Sequence, residues 1–145
     1  MFNLSSNGKL AILNTCTPIC TEDLADCLEK DVNWKTTKYP AIISWPKDIV
    51  EHGDDGLWGM YFKIYDKENL TDIPHTESLE FYKKNKDAMD EGAVVFSPKR
   101  FKESDGHISG LQALLEKRHV IGERAFQAEM QMKPQKLSFA LDITS

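Results

Sequence analysis

Between residues 78 and 90, Leu79, Tyr82, Lys86 and Met89 recur on one helical face, and Gly92 stands where a helix of that phase ends. The pattern predicts a helix over 78–90. A second helical phase runs through Leu111, Leu114, Leu115 and Arg118, with Ser109 suited to cap it. Gly122 divides it from a third phase carrying Ala125, Phe126, Glu129 and Met130, which Pro134 closes. Near the start, Thr21 as N-cap, Glu22 and Asp23 in a first turn, and the spacing of Leu24, Cys27 and Leu28 predict a helix over 22–30.

Other segments carry strand patterns. Residues 9–14 (KLAILN) form a compact apolar run bounded by Gly8 and by the turn at 15–18, which predicts a short buried strand. Residues 34–39 and 41–45, rich in Trp, Thr, Tyr and Ile, read as extended on both sides of Pro40 and stop at Pro46. Residues 136–143 alternate and predict a third strand. From 47 to 76 come glycines, prolines, acidic pairs and the aromatic cluster Trp58, Tyr61, Phe62 and Tyr65, which we read as an insertion or lid-like excursion without sustained period. Strands and helices together place the chain in the α/β class.

Composition narrows the function classes. With 145 residues, 41% of them hydrophobic and 28% charged, the chain is long enough for one core and has the balance of a globular domain. Net charge is -5 and no Lys/Arg block exceeds two residues, which argues against tight autonomous DNA binding. No apolar run approaches the ~20 residues of a membrane span, and residues 1–10 lack a signal-peptide pattern, so a cytoplasmic protein with no membrane partner is expected. Cys16, Cys20 and Cys27 are odd in number and crowded, as reduced thiols are. Their spacing, even with His52 added, fits no structural zinc pattern, and His75, His107 and His119 stand apart as surface or loop histidines.

Three stretches, in this order, Asn14-Thr15-Cys16-Thr17-Pro18 with Asp23, Leu24 and Leu28, then WKTTKYPAI at 34–42, then 95–134 opening as V-F-S-P-K-R-F, together resemble the large subunit of tailed-phage terminases, the ATP-driven motors of DNA packaging. In the first, a strand runs into Asn14-Thr15-Cys16-Thr17-Pro18 and then a helix with Asp23, Leu24 and Leu28. It resembles the strand that couples the ATPase to its next element, and the resemblance makes Asn14, Thr15 and Thr17 nucleotide-coupling residues. Ordinary hydroxyl capping of a strand-end turn accounts for the same residues. The second, WKTTKYPAI at 34–42, is similar to the Trp, spacer, Tyr/Leu-Pro-Ala pattern that follows that helix. The third opens as V-F-S-P-K-R-F at 95–101 and continues from Gly110 through Arg118, Gly122, Phe126 and Glu129-Met130-Gln131 to Pro134. It is similar to the family's Pro-x-Arg-aromatic turn and helical pair, with Met130 where an aromatic is usual.

The resemblance implies a fold: an incomplete piece of a P-loop ATPase sheet at 1–46, an insertion at 47–92, a helical linker at 93–134, and one strand of an RNase H-like nuclease from 135. That last strand would present Asp142 as one ligand of a two-metal site, which needs several carboxylates around paired cations. By resemblance the cofactors of the parent protein are ATP and Mg, and its partners are double-stranded DNA, a portal protein and the small terminase subunit, in a bacterial cell carrying a phage or prophage. No G-x-x-x-x-G-K-[ST] occurs in the chain, so none of these cofactors is expected to bind it tightly and no turnover is expected of it. Lys99, Arg100 and Lys102 around Phe101, and Lys117, Arg118 and Arg124 on the helical pair, are the candidates for touching DNA or the ATPase core, although solvated helix faces balanced by Glu116 and Glu123 explain them equally well. Two other readings stand beside this one: a free-standing protein-interaction module, and an unrelated small α/β enzyme with Cys16 or Cys27 as nucleophile.

Overall fold

The computed structural model describes residues 12, 13, 15, 16, 23–71 and 74–133. Among these the chain is mostly helical, with one small antiparallel sheet, so it is α/β only in a loose sense. In order come α1 (Leu24–Lys30), β1 (Ile42–Ser44), α2 (Lys47–His52), a 3-10 turn (Gly53–Asp55), α3 (Leu57–Thr71), α4 (Thr76–Asp90), β2 (Val94–Val95), a second 3-10 turn (Glu103–Asp105), α5 (Gly110–Ile121) and α6 (Glu123–Glu129). The strands expected at 9–14 and 136–143 lie outside the described residues, apart from Ile12 and Leu13, which are exposed and in no regular element.

Several helices begin and end where local chemistry directs. The Ser109 hydroxyl accepts from Gln112 N at 3.1 Å and so caps α5. Gly122, at φ 90, ends α5 and opens α6 in a conformation that side chains rarely adopt. For α1 the cap is Asp23, whose carboxylate accepts from Asp26 N, rather than Thr21. The start of α3 is served from outside the helix: the Asp48 carboxylate of α2 accepts from Leu57 N and Trp58 N, both at 3.0 Å, satisfying two donors that no helix can satisfy itself.

The segment 47–92, where the sequence pattern predicts a single helix, carries α2, α3 and α4. Trp58, Tyr61, Phe62 and Tyr65 stand at i, i+3, i+4 and i+7, which is one face of a helix. Trp58 and Tyr61 are buried with Tyr82 and Met89 of α4, Ile42 of β1, Leu111 and Leu115 of α5, and Phe126 of α6. One core thus draws on residues from both sides of positions 46 and 92. The Trp58 indole donates to the Met89 carbonyl at 2.8 Å and its ring lies 5.2 Å from Tyr82 and 5.4 Å from Tyr61.

Tyr61 and Tyr82 are wholly buried. Burial pushes both phenols well above the ordinary tyrosine range; the Glu116 carboxylate adds to the rise at Tyr61, and Asp90 to that at Tyr82, against opposing hydrogen bonds with Gln112 and Ser109. Because the folded value is the raised one, this stabilisation is intact below about pH 10 and is lost as pH climbs further, the unfolded chain ionising first. Each phenol contributes up to about 1.4 kcal/mol per pH unit in that window. Urea unfolding repeated from pH 8 upward is expected to show this alkaline decline, and replacing both by Phe is expected to flatten it; an unchanged slope in the double variant would contradict the assignment.

Candidate functional site

Two of the stretches singled out in the sequence, 34–42 and 95–134, meet at β1. Ala41 N donates to the Met130 carbonyl at 2.8 Å. One residue on, Ile42 N donates to Gln131 Oε1 and Gln131 Nε2 donates to the Ile42 carbonyl, both at 2.8 Å. A primary amide offers one acceptor and two donors, so Gln131 pairs with Ile42 as a neighbouring strand would. Both residues are buried. Gln131→Ala leaves two buried backbone groups without partners and is expected to cost at least the ~1–3 kcal/mol of one such group, read by urea unfolding. A loss under about 0.5 kcal/mol, the level of ordinary surface changes, would show that the clasp does not hold β1.

Beside this clasp lies a groove of about 430 Å³ whose lining includes Tyr39, Phe96, Leu114, Met130, Met132, and the basic residues Arg100 and Lys117. Ser97 and Arg100, the two ends of the 97–100 turn, stand in its lining. Arg100 N donates to the Ser97 carbonyl at 3.1 Å, and Gly110 N donates to the Pro98 carbonyl at 2.8 Å, bracing the turn on the start of α5. That approach requires glycine at 110, since a Cβ there would stand 2.7 Å from both the Ser97 and Pro98 carbonyl oxygens.

Of the basic candidates, Arg100 and Lys117 line this groove together and the others do not. Arg100 lines the groove; Lys99 is exposed on the same turn and Arg124 is exposed on α6, and neither lines it. Arg118 is occupied elsewhere, its guanidinium 5.0 Å over the Trp45 ring and paired with Glu123. Burial alone would raise the Glu123 carboxyl, but hydrogen bonds from Gln127 and Arg118 hold it below its ordinary value. Arg118 therefore braces α5, Trp45 and α6. Of the nucleotide-coupling residues, Thr15 is exposed and in no regular element, whereas Asn14 and Thr17 lie outside the described residues. Asp142 lies outside them too.

Arg118 and His119 also line a second cleft of about 580 Å³, with Asp54, Lys63 and Asp66. Here His119 Nε2 meets Asp66 Oδ1 at 2.7 Å while its ring stacks on Phe62 at 4.4 Å. A further cluster joins His107 and Tyr61 to the Glu116 carboxylate, with Gln112 Nε2 donating to the Tyr61 hydroxyl at 3.0 Å. The raised Tyr61 phenol keeps its proton and donates it to Glu116, so the cluster ties α3 to α5. Sequence reading left His107 and His119 as isolated surface residues, because their partners sit nine and 53 positions away and no spacing rule connects them.

Neither cleft sets a Ser, Thr or Cys beside a histidine, so neither assembles a nucleophile with its base. Cys16 and Cys27 are exposed, and Cys20 lies outside the described residues. Among the described residues no three His, Cys, Asp or Glu side chains gather as a metal-holding group, and no helix is long and apolar enough to cross a membrane. No family model, curated protein or solved structure matches the chain.

Proposed function

We propose that the chain is the junction between the ATPase and nuclease of a terminase large subunit, and that its helical unit acts as a stiff connector between them. The observation that carries this reading is the clasp of Gln131 on Ile42. The stretch with the Trp, spacer, Pro-Ala pattern and the stretch ending in Glu-Met-Gln are both similar to terminases, and in the folded chain they bind each other across 89 residues. On this reading, ATP and Mg act at parts of the motor contributed by other residues. Asn14, Thr15 and Thr17 would approach the nucleotide, and Asp142 would supply one carboxylate of the nuclease. Double-stranded DNA, the portal protein and the small subunit are the partners of the whole machine. Among the basic candidates, Lys99, Arg100, Lys102, Lys117 and Arg124 are exposed and would be available to a phosphate backbone; Arg118 is spent on Trp45 and Glu123.

A second reading, a free-standing interaction module, is favoured by the single core that Ile42, Trp58, Tyr82, Leu115 and Phe126 build together. A piece with its own core could in principle fold alone. Sequencing the DNA on both sides of the gene separates the two. The terminase reading expects a frame encoding G-x-x-x-x-G-K-[ST] upstream and further strand-end carboxylates downstream. A gene closed on both sides by unrelated frames would overturn it in favour of the module.

A further inference from the structure

The groove between Tyr39, Phe96 and α5 carries an inference that does not depend on the terminase reading. Its volume of about 430 Å³ falls within the roughly 300–1,000 Å³ of small-molecule sites. Its surface is apolar in the main, from alanines, Leu114, Met130 and Met132, and thioether side chains adapt to varied ligand shapes. At the groove the exposed Tyr39 and Phe96 rings lie 5.4 Å apart as a tilted pair.

Two cations border this apolar surface. Arg100 and Lys117 both line the groove, and among the described residues neither forms an ion pair, whereas Lys30, Lys38, Lys47, Lys86 and Arg118 all do. Glu129 is the single acid in the lining, so the groove keeps a net positive charge on a chain that is acidic as a whole. Met132, which closes one side, has φ 56, and it is the one non-glycine residue among those described with positive φ. Such backbone is costly and persists where its surroundings fix it, commonly at ligand-binding positions.

We infer that this groove binds a small organic anion: an aromatic or otherwise apolar body seated against Leu114, Met130 and the Tyr39–Phe96 pair, with a carboxylate, sulfonate or phosphate group held by Arg100 and Lys117. The apolar body supplies affinity through burial. The two cations select an anionic head over a neutral or cationic one, and a guanidinium can grip its oxygens in pairs.

The probe is anilinonaphthalene sulfonate, titrated into the full 145-residue chain by fluorescence and calorimetry, with uncharged N-phenylnaphthylamine as the second arm. One sulfonate is expected to bind per chain. Arg100→Gln and Lys117→Gln are each expected to weaken it about tenfold, the value of one charge-assisted contact, while leaving the uncharged probe unaffected. Ala113→Trp, which fills the groove, is expected to abolish binding of both, and Lys63→Gln in the other cleft to change nothing. Circular dichroism establishes that each variant is folded; both cations are surface positions, where substitution costs under about 0.5 kcal/mol. The inference is overturned if several probes bind per chain, if the two cation variants bind the sulfonate as the parent does, or if an acidic peptide displaces the probe while small organic anions fail to.

Discussion

Trp58→Ala is expected to lower the stability of the chain by about 3–5 kcal/mol, the range for removing a large buried aromatic. Domains of this size are stable by only about 5–15 kcal/mol, so the melting temperature should fall by roughly 10–20 °C or the fold be lost. The reason is where the ring sits. Trp58 is 1% exposed, its indole N–H is bonded to the Met89 carbonyl, and its faces touch Tyr61, Phe62 and Tyr82. Removing it opens a cavity between α3 and α4 and leaves the Met89 carbonyl without that donor. Trp58→Phe separates the two effects, since it keeps an aromatic ring and loses only the donor and part of the volume; it is expected to cost well under the Ala change. Urea unfolding followed by far-ultraviolet circular dichroism measures both. Equal costs for Phe and Ala would mean that the hydrogen bond, not the packing, holds the two helices together.

Gly59→Ala is the second large effect, and its sign is the test. In an exposed helix interior, Ala replaces Gly with a gain of about 1 kcal/mol. Gly59 lies in α3, yet a Cβ there would stand 1.8 Å from the Asp54 carbonyl oxygen and 2.4 Å from its carbon. These are backbone atoms of the preceding 3-10 turn, so a rotamer change cannot relieve the contact. The turn must move, and with it the approach of α2, whose Asp48 caps the same helix. The expected outcome is destabilisation beyond the ~1–3 kcal/mol of ordinary overpacking. A neutral or stabilising result would show that the 3-10 turn does not rest on the helix as described.

Much of the downstream half was legible because its signals are local. Ser109 as cap, Gly122 as divider and the face through Leu111, Leu115 and Phe126 follow from capping chemistry and helical period, both short-range. The helix through Tyr82 and Met89 was equally readable. Less was legible upstream. The aromatic face at 58, 61, 62 and 65 has the spacing of α3, but Gly53, Gly56 and Gly59 punctuate it and read as loop signals. Two of those glycines have a tertiary purpose: a Cβ at 56 would meet the Asp48 carboxylate at 2.6 Å, and one at 59 the Asp54 carbonyl, while Gly53 serves the local backbone at φ 55. Of the basic residues proposed for contacts, sequence marked Arg100 and Arg118 as equivalent, and only their neighbours distinguish a groove-lining cation from one committed to Trp45 and Glu123.

What the sequence alone determined is the set of helices downstream of 78, the Ser109 cap, the Gly122 divide and the acidic balance of the chain. Only the tertiary structure decided that Gln131 completes β1, that Arg100 and Lys117 share one groove, and that His119 meets Asp66. The physical difference is range. Helical period and capping depend on atoms a few residues apart, and the sequence states them outright. A clasp or a groove depends on which distant surfaces hydrophobic burial brings together, and that is fixed only when the whole core closes.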